Sequence, residues 1–129
     1  MRLILALLAL LPAVAYATEI AVAANTPTPV PGTDIILTLT DVMDQRCPST
    51  ADCYWEGMIR VELAVTKGTH APQTIALCNR CDDASRDTIM YGQTIELRRL
   101  APGRDVLDPM GRNPMLSDYI ITVDVTPVS

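Results

Sequence analysis

Asp44-Gln45-Arg46-Cys47-Pro48-Ser49-Thr50-Ala51-Asp52-Cys53-Tyr54-Trp55-Glu56-Gly57 is a turn-rich stretch between two cysteines, and it runs directly into the most regular alternation in the chain. Pro48, Ser49, Thr50 and Asp52 favour turns, each through its own backbone chemistry, so the seven-residue span from Cys47 to Cys53 reads as a short closed loop. From Tyr54 to Thr66 the pattern has period two. Trp55, Ile59, Val61, Leu63 and Val65 share one face, and Glu56, Arg60 and Glu62 share the other. This predicts a long, half-buried strand. Cys53 has the parity of Trp55, so a bridge at Cys53 is expected beside the chain's single tryptophan, the predicted core anchor.

Working outward, Ile20 and Val22 suggest a short first strand. The segment Thr26-Pro27-Thr28-Pro29-Val30-Pro31-Gly32 lacks three backbone donors and reads as extended, edge-like chain. Ile35, Leu37 and Leu39 alternate with Ile36, Thr38 and Thr40 in a strand expected to end at an acidic turn from Asp41 to Asp44. Beyond the long strand, Lys67 to Pro72 is a hairpin connection. Ile75 and Leu77 form a strand that runs out at Cys78, and Cys78-Asn79-Arg80-Cys81-Asp82-Asp83 is a polar turn. Ile89 and Tyr91, then Ile95 and Leu97, mark further extended pieces. Arg104 to Ser117, with Pro109, Gly111 and Pro114, reads as the longest irregular loop before a last strand of inward Tyr119, Ile121, Val123 and Val125. Six or seven short strands without a helical period predict an all-β fold, a small antiparallel, immunoglobulin-like β-sandwich. A Greek-key barrel is the alternative.

Residues 1–17 have the pattern of a secretory signal peptide: Met1-Arg2, an apolar run from Leu3 to Leu11, Pro12, and Ala15-Tyr16-Ala17 as a cleavage site. The apolar run is too short for a mature transmembrane anchor. Removing 17 of 129 residues leaves 112, one domain (18–129) with a limited core, in which cross-links are useful. The formal net charge is -5 for the full chain and moves to about -6 without Arg2, which opposes nucleic acid and anionic membrane surfaces. The expected location is the periplasm or the exterior.

Four cysteines permit three pairings. Local pairing, Cys47 with Cys53 and Cys78 with Cys81, is favoured by closeness in sequence, and a cross-pairing that ties the two turns together is the alternative. Cys78-x-x-Cys81 also admits a thiol-redox or metal role, but Asp82 and Asp83 oppose a thiolate, and disulfide formation in an oxidising compartment competes with zinc. Met43, Met58, Met90, Met110, Met115 and His70 lack the clustered spacing of a copper site. The acidic groups Asp41/Asp44/Asp52, Asp82/Asp83/Asp87 and Asp105/Asp108/Asp118 lack the spacing of a calcium loop. His70 lies in a turn with no nucleophile motif beside it, so no catalytic residue, resident metal or cofactor is expected. Arg60 and Glu62, with Tyr54 and Met58, form an outward face that reads first as solvated.

The run Asp44-x-Arg46-Cys47-Pro48-x4-Cys53-x-Trp55-x-Gly57 resembles a group of small exported bacterial proteins of unknown function. They carry an Asp-Ser-Arg-Cys-Pro, Cys-x-Trp-x-Gly pattern leading into a strand. The likeness extends through Ile95-Glu96-Leu97-Arg98-Arg99-Leu100-Ala101-Pro102 and the Tyr119 strand. Gln45 stands where the group has Ser, and the Cys78, Cys81 pair lies outside the pattern. The resemblance implies an exported β-sandwich-like domain with a Cys47–Cys53 bridge.

Together these features point to an exported, non-catalytic binding or envelope-accessory module with a protein or envelope partner. Its contact residues are expected on two loops, at Asp44, Arg46 and Asp52 and at Arg104, Asp108 and Arg112. The competing readings are a periplasmic metal or redox protein using Cys78 and Cys81, and an inhibitor of an exported hydrolase.

Overall fold

In the computed structural model, which describes residues 16–54 and 57–128, alternating apolar residues close two antiparallel sheets over a common core. The strands are β1 (Thr18–Ala23), β2 (Thr28–Pro29), β3 (Ile35–Gln45), β4 (Met58–Lys67), β5 (Gln73–Asn79), β6 (Asp87–Met90), β7 (Gln93–Ala101) and β8 (Ile120–Pro127). One sheet has the order β1-β8-β7-β6 and the other β2-β3-β4-β5, which is a sandwich rather than the alternative barrel. Most of the expected leader, and Trp55 and Glu56, lie outside the described residues.

The period-two reading carries most of the packing. Val61, Leu63 and Val65 of β4 are fully buried, and they share one core with Leu37, Leu39 and Leu77 of the same sheet and with Ile95, Ile121, Val123 and Val125 of the other. Each such side chain contributes about 1.5–3 kcal/mol of burial. The proline-rich segment is extended as expected. Thr28 and Pro29 pair only briefly with Leu37 and Ile36, and Val30 drops into the core.

Three expectations are corrected. The long strand begins at Met58, not at Tyr54; Tyr54 is fully exposed and lies outside it, so parity does not carry from Cys53 into β4. The segment Asp41 to Asp44 is not a turn. β3 continues through it to Gln45, because a bulge between Leu39 and Asp41 inserts one residue and exchanges the faces of the strand. Before the bulge Leu37 and Leu39 point inward; after it, Val42 and Asp44 do. A matching bulge between Leu97 and Arg99 leaves both Arg98 and Arg99 outside and returns Leu100 to the interior. Finally, the long loop is partly helical: α1 (Arg104–Leu107) is one turn, and single 3-10 turns follow at Asp108–Met110 and Leu116–Asp118. Leu107 is fully buried and anchors this segment on the core.

Candidate functional site

The β3 bulge carries Asp44 to the inner side at the end of the sandwich, where its side chain is only 3% exposed. A carboxylate there needs partners, and it has them. Arg46 Nε donates to Oδ1 at 2.8 Å, its Nη2 donates to Oδ2 at 2.9 Å, and its backbone N–H donates to Oδ1 at 3.1 Å. Two residues apart on one extended strand end, the pair forms the fork that a planar guanidinium makes with a carboxylate. The Tyr119 hydroxyl donates to Asp44 Oδ2 at 3.0 Å and Arg104 Nη1 lies 3.5 Å from the same oxygen.

The cluster reaches across both sheets. Arg46 Nη1 and Nη2 donate to the carbonyls of Leu100 (3.0 Å) and Pro102 (2.8 Å), the groups that the β7 bulge brings to this end. Arg104 pairs with Asp108 at 2.5 Å, and Asp108 in turn accepts the backbone N–H and the hydroxyl of Ser49, both at 2.8 Å. The Cys47–Cys53 loop, the end of β7, the 104–118 segment and the start of β8 are therefore tied into one unit. Gly57 closes it from below: a β-carbon at this position would fall on the Gln45 carbonyl and the Arg46 backbone, so only glycine fits.

The electrostatics follow from these bonds. Burial pushes the Asp44 pKa up, but the hydrogen bonds and charge of Arg46, with Tyr119, outweigh it and hold the value at about 2. Tyr119 is pushed up to about 12, by burial and then by the adjacent Asp44 charge. Asp108 is lowered by the Ser49 hydrogen bonds and, further down, by Arg104. Asp44 is thus held ionised and Tyr119 protonated over the physiological range, which keeps the hydrogen bond between them in place.

Of the loop residues expected to meet a partner, Asp44, Arg46, Arg104 and Asp108 are brought together here. Arg112 stands apart, paired through both Nη atoms with Asp118 at 2.8 and 2.9 Å, where Asp118, held at about 2 by Arg112 and the Met115 N–H, also caps a 3-10 turn. Asp52 is exposed outside the cluster. Sequence reasoning missed Ser49 and the Tyr119 hydroxyl as members. The available signal was Tyr119 itself, an inward residue with a polar tip at the mouth of a strand.

Beside the cluster lies a half-open cleft of about 290 Å³, lined by Arg46, Cys47, Gly57, Ile59, Asn79 and Arg104. Its rim includes the Cys47–Cys53 disulfide, with a Cα separation of 6.0 Å. The second disulfide joins Cys78 and Cys81 at the end of β5, so both pairings are local, as favoured. Of this pair Cys78 is 2% exposed and Cys81 is half-buried. Among the described residues no group of three or more His, Cys, Asp or Glu side chains is placed to hold a metal ion. His70 lies at the opposite end, 5.8 Å from the Tyr91 ring, over which Lys67 Nζ sits at 5.5 Å. Arg60 pairs with Glu62 at 3.1 Å on the outward face of β4. No helix among the described residues is long and apolar enough to cross a membrane. No protein-family model, no curated protein and no solved structure matches this chain.

Proposed function

We propose that the chain is an exported, non-catalytic binding or envelope-accessory module, working in the periplasm or outside the cell, whose contact surface is the sandwich end built from the Cys47–Cys53 loop and the 104–118 segment. The observation that carries this reading is the linkage of those loops through Asp44, Arg46, Arg104, Asp108 and Ser49. Loops already fixed in place lose little conformational entropy on docking, so more of the contact energy appears as affinity. The same segments expose Tyr54, Val106, Met110 and Met115, side chains suited to apolar contact. Two disulfides suit an oxidising compartment.

The test is quantitative capture of envelope and secreted proteins of the source cell on immobilised wild-type chain, Tyr54→Ala and Asp108→Ala, with mass-spectrometric identification. A partner retained by wild type and reduced about tenfold by either substitution supports the surface. Equal retention by all three refutes it. A native-state thiol count of two, or a stoichiometric bound metal, would replace this reading with the metal or redox alternative.

A second reading rests on the fully exposed Tyr54 next to the clamped Cys53. Such a loop could be held out as a rigid substrate mimic by an inhibitor of an exported hydrolase. Loss of inhibition of a responsive protease on Tyr54→Ala would support it, and no inhibition across serine, cysteine and metalloprotease panels would remove it.

A further inference from the structure

The chain carries an excess of acid, -5 overall, yet the polar side chains described around the 290 Å³ cleft are two arginines and one asparagine. The carboxylates that balance the arginines lie elsewhere. Asp44 is almost wholly buried, and Asp108 points to Ser49 and Arg104. The other described residues of its lining are Cys47, Gly57 and Ile59, the last packed on the core.

Arg104 is the less satisfied of the two cations. A guanidinium has five N–H donors. Asp108 takes one at 2.5 Å, Asp44 takes another at a long 3.5 Å, and Nε is buried with no acceptor. Arg46, by contrast, is held by Asp44 and by the carbonyls of Leu100 and Pro102. Arg104 therefore lines the cleft with donor capacity that Asp108 and Asp44 do not take up.

We infer that this cleft is a carboxylate subsite, which takes a monocarboxylate on a short apolar stem, either a small organic acid or the C-terminal residue of a peptide. The inference rests on the binding-module reading and names the chemistry of one contact within it. A planar guanidinium matches a planar carboxylate, and Ile59 with the disulfide receives the stem. Asp44 and Asp108 already offset the charge of the two arginines, so recognition rests on the unused N–H donors, and a phosphate dianion is opposed more strongly than a monocarboxylate. The volume, about 290 Å³, lies at the small end of ligand clefts, which suits a fragment of this size. Asp44 is then a positioning residue that fixes Arg46 from behind.

The experiment titrates the isotope-labelled folded chain with hexanoate, hexanamide, N-acetyl-Gly-Leu as free acid and as amide, and inorganic phosphate. The readout is the shifts of the Gly57, Ile59 and Asn79 amides and the arginine Nε–H resonances. Saturable shifts are expected from the acids with Kd on the order of 1 mM, and not from the amides. Hexanoate and the peptide acid acting alike would identify a free-acid site, and the peptide acid alone a C-terminus site; both support the inference. Arg104→Lys, which keeps the charge but not the fork, should weaken the acids about tenfold. Equal binding of acid and amide, preference for phosphate, or no saturation by either acid would overturn it. The acid-against-amide comparison on wild type decides the matter even if the variant does not fold. Failure here with Tyr54-dependent capture intact removes the subsite alone, whereas loss of that capture removes the module reading.

Discussion

Replacing Asp44 by asparagine removes the charge around which four segments converge while keeping the size of the side chain. Arg46 and Arg104, with side chains 18% and 22% exposed, would lose their shared counterion, and the Tyr119 hydroxyl would keep at best a neutral acceptor. Deleting one partner of a fully buried ion pair costs about 3–5 kcal/mol. Partial exposure of both arginines lets water recover part of that, so the expected loss is about 2–4 kcal/mol. For a domain of this size that lowers the thermal midpoint by about 10–15 °C. The pH dependence gives an independent measure. Asp44 is lowered from 3.8 to about 2 on folding, which at about 1.4 kcal/mol per pH unit is worth about 2–3 kcal/mol. Because the folded value is the lower one, the contribution is complete above pH 3.8 and is lost as the pH falls toward 2. Urea unfolding of wild type and Asp44→Asn at pH 7, 4 and 2.5 should therefore show a gap that narrows in acid. A difference under about 1 kcal/mol at pH 7, or one that does not shrink at pH 2.5, would refute the assignment of Asp44 as the keystone.

Other substitutions test neighbouring parts of the structure. Gly57→Ala places a methyl group against the Gln45 carbonyl and Arg46 backbone and should cost about 2 kcal/mol or more in chemical denaturation. Tyr119→Phe removes one hydrogen bond to the carboxylate and should cost about 1.5–3 kcal/mol. In an alkaline absorbance titration one tyrosine should ionise near 12 in wild type and be missing in Tyr119→Phe; its stabilising effect is complete below pH 10 and lost between pH 10 and 12. Opening the six-residue separation between Cys47 and Cys53 by paired serine substitution should cost about 2 kcal/mol on chain-entropy grounds, read as a shift in the urea midpoint.

The sandwich was legible because its strands bury one stripe each, and Val61, Leu63, Ile121 and Val123 fall where alternation puts them. What alternation could not supply is the place where it breaks. Thr40 with Asp41, and Arg98 with Arg99, are pairs of outward residues separating inward Leu39 from Val42 and Leu97 from Leu100. A three-residue step of this kind is the sign of a bulge, but it can also be read as the end of a strand, and at Asp41 it was. The consequence for the site was large. With Asp41 to Asp44 taken as a solvated turn, Asp44 looked like a surface contact residue, whereas one inserted residue makes it the buried centre of the cluster. The partners of Asp44 at 104 and 119, and those of Arg46 at 100 and 102, are remote in sequence, and no local pattern links them. The helical turn at Arg104–Leu107 was missed for a related reason: four residues are too few to display a 3.6-residue period, and only Leu107 turns inward.

The two-residue strand Thr28–Pro29, flanked by Pro27 and Pro31, has a consequence for the protein in bulk. An exposed flank of sheet is a template onto which a neighbouring molecule can add its own backbone. Along this flank three imino nitrogens offer nothing to share, and the paired stretch is too short to seed growth. Concentrated solutions should thus stay free of fibrils nucleated from this side, and exchanging Pro27, Pro29 and Pro31 for alanine should expose the protein to them.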